Sequence, residues 1–237
     1  MSESFKLLED ELNSVLIEKM KATFSSAAKY LIDWDEPGIL ANHHAIACLA
    51  VYSAYDILKE KWILDGYKEK WEGFLRYHND EGWSMERDGA DPGYLSGTVS
   101  FLGKLYKLNP DKDIKEVINQ SIEYSSFFLY PDGNFAGTIG SRHTVHFYTH
   151  GYELFASDNQ LAKSMINFTR ESIHNGKQVH PTIVPDRYFV YRLPEFIISY
   201  LDAHKEEDNS SIELPFQKSS FRKEFKKSGH IVVNTDK

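Results

Sequence analysis

The chain has 237 residues, 41% of them hydrophobic and 26% charged, with a formal net charge of −8. That composition is a globular protein's, large enough for one good-sized core or two small ones. It argues against nucleic acid as a partner, since no long basic run stands against the acidic balance outside the tail. Cys48 is the single cysteine, which excludes a disulfide framework and a cysteine-based zinc site. No stretch is long and apolar enough to span a membrane, and the first residues lack the basic-then-apolar order of a signal peptide, so a cytoplasmic protein is the expectation.

Residues 3–31 carry Phe5, Leu8, Leu12, Val15, Leu16 and Met20 at helical spacing, which predicts one long helix. Pro37 and Gly38 end it. An almost wholly apolar helix follows over 42–60, then an amphipathic one over 62–78. The stretch Glu-Arg-Asp-Gly-Ala-Asp-Pro-Gly-Tyr over 86–94 is the ornate point of the chain. Its glycines and proline require a shaped loop, and Asp91-Pro92 is a helix-start signature, with Tyr94 falling in the first turn.

The pattern then repeats. Helices are predicted over 93–106 and 113–129, a second ornate loop over 131–144, and helices over 144–157 and 159–174. A third loop runs over 175–187 with His180, Pro181, Pro185 and Asp186, and a last helix over 188–203, interrupted by Pro194. The period is about 50 residues, each unit an apolar helix, a turn, an amphipathic helix and a long loop, as expected of stacked helix pairs. The apolar helices should line the inside, and every ornate loop should gather at one end of the array. Residues 205–211 read as a polar linker, 216–225 as a mixture of basic and aromatic residues, and 228–233 as a strand with no visible partner.

Three clusters carry possible chemistry. Asn42, His43 and His44 open an inner helix, where Asn42 also serves as a cap candidate. Arg142, His143, His146 and His150 lie close together, with His146 and His150 placed on one face if the helix reaches them. Glu153 or Asp91 could complete a metal site there, but the His-Glu-x-x-His spacing is missing, so hydrogen bonding is the preferred reading and no metal is expected. Asp186, Arg187 and Tyr188, followed by Tyr191 and Arg192, begin the last helix. No glycine run has phosphate-binding form, and no cofactor is expected.

Asn42-His43 opening an inner helix, followed some fifty residues later by Arg87 and Tyr94, resembles the heparinase II/III-like and alginate-lyase group of polysaccharide lyases. The resemblance covers about residues 35–200. It implies an all-α fold, an incomplete (α/α) toroid of stacked helix pairs over 1–204. Residues 205–237 would then be a linker and the first strand of a truncated β-sandwich domain. It further implies an acidic polysaccharide or oligosaccharide as partner, Asn42, His43, Arg87 and Tyr94 as catalytic residues, and β-elimination from a uronic acid as the reaction. Substrate binding would fall to His44, Trp83, Asp88, Asp91, Arg142, His143, His146, Tyr148, His150, Arg187 and Tyr188. In that chemistry Asn42, with Arg87 or a protonated histidine, neutralises the uronate carboxylate, His43 or Tyr94 removes the C5 proton, and Tyr94 returns a proton to the leaving oxygen. Such lyases usually act on exported polymers, so a periplasmic or secreted protein is the expectation if the N-terminus is incomplete. Two alternatives remain open: a glycoside hydrolase using a pair among Asp88, Asp91, Asp132 and Asp186, or a non-catalytic glycan-binding domain stacking sugars on Trp83, Tyr94, Phe135 and Tyr148.

Overall fold

The structure is a computed structural model that describes residues 1–36, 38–140, 146–179, 186–203 and 211–235, with the backbone alone at 186–188 and 191. It is mostly helical. The long N-terminal helix expected from periodicity is in fact two. α1 (Ser2–Leu8) and α2 (Ser14–Asp33) are separated by a short 3-10 turn and an extended Leu12. The break is local chemistry: the Asn13 side chain accepts the Leu16 N–H at 2.9 Å, an N-cap that starts a new helix where helical spacing alone would have run through.

Three helix pairs follow: α3 (Ala41–Leu58) with α4 (Lys61–Leu75), α5 (Pro92–Leu108) with α6 (Lys112–Ser126), and α7 (His150–Phe155) with α8 (Gln160–His174). The last described helix is α9 (Asp186–Leu201), with Pro194 inside it. α5 packs on both α3 and α7, and α7 on α9, so these form an inner row; α4, α6 and α8 each lie on the helix before them. The pairing and the inner-outer division expected from the repeat are therefore present.

Side-chain size explains the inner row. α5 begins Pro-Gly-Tyr-Leu-Ser-Gly-Thr-Val-Ser, and almost all of its first three turns are buried. A Cβ added at Gly151 would overlap the Val99 carbonyl of α5 and come within 2.7 Å of the Ser100 Cα. The two helix backbones touch, and only glycine fits between them. The outer helices instead bury one stripe: α6 buries Ile114, Val117, Ile118 and Ile122 and leaves its charged residues outside.

β1 (Met85–Glu86) and β2 (Gly89–Ala90) make a tight hairpin, pairing Met85 with Ala90 and Glu86 with Gly89. Near the C-terminus β3 (Phe221–Phe225) pairs antiparallel with β4 (His230–Asn234). The strand expected at 228–233 thus has a partner, in the segment read as merely basic and aromatic. The hairpin is docked onto α6. Phe225 is buried with its ring 4.6 Å from that of Tyr124 and 5.3 Å from that of Phe127, and the Tyr124 hydroxyl meets His230 Nδ1 at 2.8 Å. Leu214 and Phe225 belong to the same hydrophobic cluster as the helices.

Candidate functional site

The first β-hairpin is placed by α3. Leu40, just ahead of that helix, pairs with Glu86, and the Arg87 N–H donates to the Ile39 carbonyl. This brings Glu86 to the start of α3, where two orphan donors are available. The backbone N–H of Asn42 donates to Glu86 Oε1 at 2.7 Å and its side-chain amide to Oε2 at 2.7 Å. Asn42 is therefore not a cap for its own helix; it is a two-point grip on a carboxylate from 44 residues away.

Glu86 is only 7% exposed. Burial disfavours its charged form more strongly than the two Asn42 hydrogen bonds favour it, and the negative charge of Asp91 adds to the upward push. Its carboxyl is raised to about 7. Asp91, also buried, caps α5 by accepting the Tyr94 N–H at 3.1 Å. Behind it comes the second ornate loop: the Asp91 carboxylate fills the space where a Cβ on Gly140 would stand. Two carboxyl groups thus lie at the opening of α3 and α5, one of them poised to exchange its proton near neutrality.

Around this pair the expected residues fall into two groups. Asn42 joins Glu86 directly, Asp91 acts on it through its charge, and Tyr94, half-buried in the first turn of α5, gives its backbone N–H to Asp91. Arg87 and Asp88 form the exposed turn of the hairpin, Arg87 in the left-handed region at φ 60°. His43 is exposed, its Nδ1 3.2 Å from Glu36 Oε2. His44 lies against Tyr77 at 5.1 Å; burial pushes its imidazole below the usual histidine range. Tyr148, in the irregular segment before α7, packs against α5 beside Gly97, its N–H donating to Ser96 Oγ at 3.3 Å and its ring 4.5 Å from the Arg192 guanidinium.

Others go elsewhere. Trp83 is 5% exposed and part of the core, its indole N–H donating to Glu81, so its face is not open for stacking on a sugar. His146 and His150 do not share a helical face, because α7 starts only at His150 and residues 146–149 are irregular. His150 is buried with Asp202, Nε2 to Oδ2 2.8 Å. Arg142 and His143 lie outside the described residues, as do the side chains of Arg187 and Tyr188.

The group that sequence reasoning passed over is Glu86 itself, first residue of the stretch that stood out. A signal existed: a glutamate between apolar Met85 and a glycine-rich turn is badly placed for solvent if that turn pairs with itself. Lys104 and Glu195 were also missed. They form a buried ion pair at 2.7 Å between α5 and α9, with Glu195 also accepting from Ser100 Oγ at 2.6 Å and the His150 N–H at 3.1 Å.

Comparisons with protein-family models, curated proteins and solved structures return no match to this chain. What fold and site define is a class by construction: a helical-pair protein with a buried carboxyl pair at the loop-bearing end of its inner helices.

Proposed function

We propose that the loop-bearing end of the array is an acid–base site acting on a glycan, and that it cleaves a uronate-containing polysaccharide by β-elimination. The observation that carries this reading is Glu86, a carboxyl group gripped by Asn42 and raised to about 7, so that both protonation states are populated at neutral pH.

β-Elimination requires that the charge of the substrate carboxylate be neutralised before its neighbouring proton can leave. Protonated Glu86 can donate to that carboxylate while Asn42 holds it in place, and the exposed Arg87 supplies a cation at the rim. In this reading Tyr94, in the first turn of α5, takes the C5 proton and returns one to the departing glycosidic oxygen. Of the residues implied by the lyase resemblance, Arg87 and Tyr94 keep their roles; Asn42 holds Glu86 instead of the substrate, and Glu86 is added as the proton-holding group.

One observation favours a second reading. Glu86 and Asp91 are two carboxyl groups with one held up by burial and by its neighbour's charge, the acid–base division that glycoside hydrolysis uses.

The test is incubation with alginate, heparan, hyaluronan and chondroitin, following both ultraviolet absorbance of the unsaturated product and new reducing ends. Absorbance that rises with the wild type and vanishes in Tyr94→Phe and Glu86→Gln supports elimination. Reducing ends without absorbance, lost in Asp91→Asn as well as Glu86→Gln, establish hydrolysis instead. Neither signal on any polymer overturns both.

A further inference from the structure

The segment that leads into α3 carries an aromatic pair that the core does not use. Trp34 directly follows α2, and the ring of Tyr30, one turn earlier, is stacked with it, centroids 5.5 Å apart and planes 26° from parallel. Neither ring belongs to the hydrophobic cluster of the helices; Tyr30 is 60% exposed and Trp34 44%. In each other stacked pair among the described residues at least one ring is buried. The backbone beneath the indole is fixed. The Trp34 N–H donates to the Tyr30 carbonyl at 2.9 Å, and Lys70 of α4 donates to the Trp34 carbonyl. A flat apolar surface held in this way costs little ordering entropy when something lies on it.

Position connects this platform with the carboxyl site. Two residues beyond Trp34, Glu36 Oε2 stands 3.2 Å from Nδ1 of His43, the neighbour of Asn42 in α3. Chain geometry therefore keeps Trp34 within about 20 Å of the Asn42–Glu86 contact, at the same loop-bearing end. That reach is a few sugar units of a glycan. One face of a pyranose ring is made of C–H groups, which lie against the electron-rich face of an aromatic ring while the hydroxyls stay in water. The charges beside the platform select among sugars. Asp33 and Asp35, both exposed, flank Trp34, and Lys70 is the cation bonded to it. Two carboxylates against one ammonium repel a uronate and accept a neutral ring.

We infer that Tyr30 and Trp34 form a distal subsite that stacks an uncharged sugar ring, so that the glycan is one in which uronate alternates with a neutral N-acetylhexosamine. The inference rests on the reading of the Glu86 end as a glycan site, but not on the elimination step, since stacking serves a chain that is held as well as one that is cut. A uronate homopolymer such as alginate would set a carboxylate against Asp33 and Asp35 and gain nothing from the platform.

The test is calorimetric binding of oligosaccharides of hyaluronan, unsulfated chondroitin and unsulfated heparan, from disaccharide to decasaccharide. It uses the full chain carrying Glu86→Gln, which leaves the ligand uncut in either reading of the chemistry. Affinity for at least one of the three should rise with length until the glycan reaches the platform. Trp34→Ala should remove that rise, costing about tenfold on the long oligosaccharides and nothing on the disaccharide. Trp34→Phe, which keeps a ring, should recover most of the loss, and binding of alginate oligosaccharides should be the same with and without Trp34→Ala. Such binding, with no cleavage by the wild type, would leave the subsite standing and the elimination reading refuted. No binding of any alternating oligosaccharide, no loss in Trp34→Ala, a loss equal at every length, or an equal loss with alginate would overturn the inference.

Discussion

Replacing Glu86 by glutamine isolates the energetic consequence of burying this carboxyl group, whatever the substrate. In the unfolded chain it titrates near its ordinary 4.5, and in the folded protein it is raised to about 7. The folded state therefore holds the proton more tightly. The stability this provides is fully present below about pH 4.5 and is lost as pH rises through about 7. At roughly 1.4 kcal/mol per unit, the loss across that window is about 3 kcal/mol. In Glu86→Gln there is no charge to desolvate, and by turning over its amide Asn42 can still satisfy the glutamine. Urea unfolding of both proteins across the window gives the difference directly. The variant should match the wild type within about 1 kcal/mol at the acid end and exceed it by about 3 kcal/mol above neutrality. A difference that stays flat between those limits would refute the account of Glu86, and with it the observation on which the proposed chemistry depends.

Asn42→Ala removes the side-chain hydrogen bond that lowers the Glu86 carboxyl. It should destabilise the protein by about 2 kcal/mol, and the Glu86-linked transition should move to higher pH, read in the same unfolding series. Gly151→Ala drives a methyl group into the Val99 carbonyl and should cost about 3 kcal/mol or prevent folding, measured by thermal melting. Phe225→Ala takes the aromatic anchor from between Tyr124 and Phe127 and should cost about 3 kcal/mol. Limited proteolysis should then cut first between 211 and 235 while α3 to α8 stay protected; simultaneous cutting throughout would show that the hairpin is an integral part of one cooperative unit.

The helix pairs were legible because each carries its own local signals: apolar residues at helical spacing, and a cap at Asp91, whose side chain does accept the Tyr94 N–H; Asp111 and Asn159 cap α6 and α8 in the same way. What local pattern could not convey was contact at a distance. Asn42 looked like a cap because asparagine at a helix start usually is one, whereas its amide serves a carboxylate on another element. Helical spacing placed His146 and His150 on one face, yet α7 is only six residues long, and the preceding residues contact Ser96 and Arg192 instead. The partner of β4 was hidden by composition: Phe221, Lys223 and Phe225 share one side of a strand, but charged neighbours obscure the alternation. Glu86 was hidden for a related reason, since its burial depends wholly on the turn behind it closing onto α3.

That turn has one more property. Arg87 holds a left-handed backbone conformation at φ 60°, which glycine adopts freely and arginine does not, at a cost of about 1 kcal/mol. Geometry and charge are therefore carried by different parts of the same residue: a glycine would make the turn as well or better and leave the Glu86 pairing untouched, while the cation would be gone. Shape and electrostatics at the mouth of the array can thus be varied one at a time, and guanidinium ion supplied from solution becomes a way to return the second without disturbing the first.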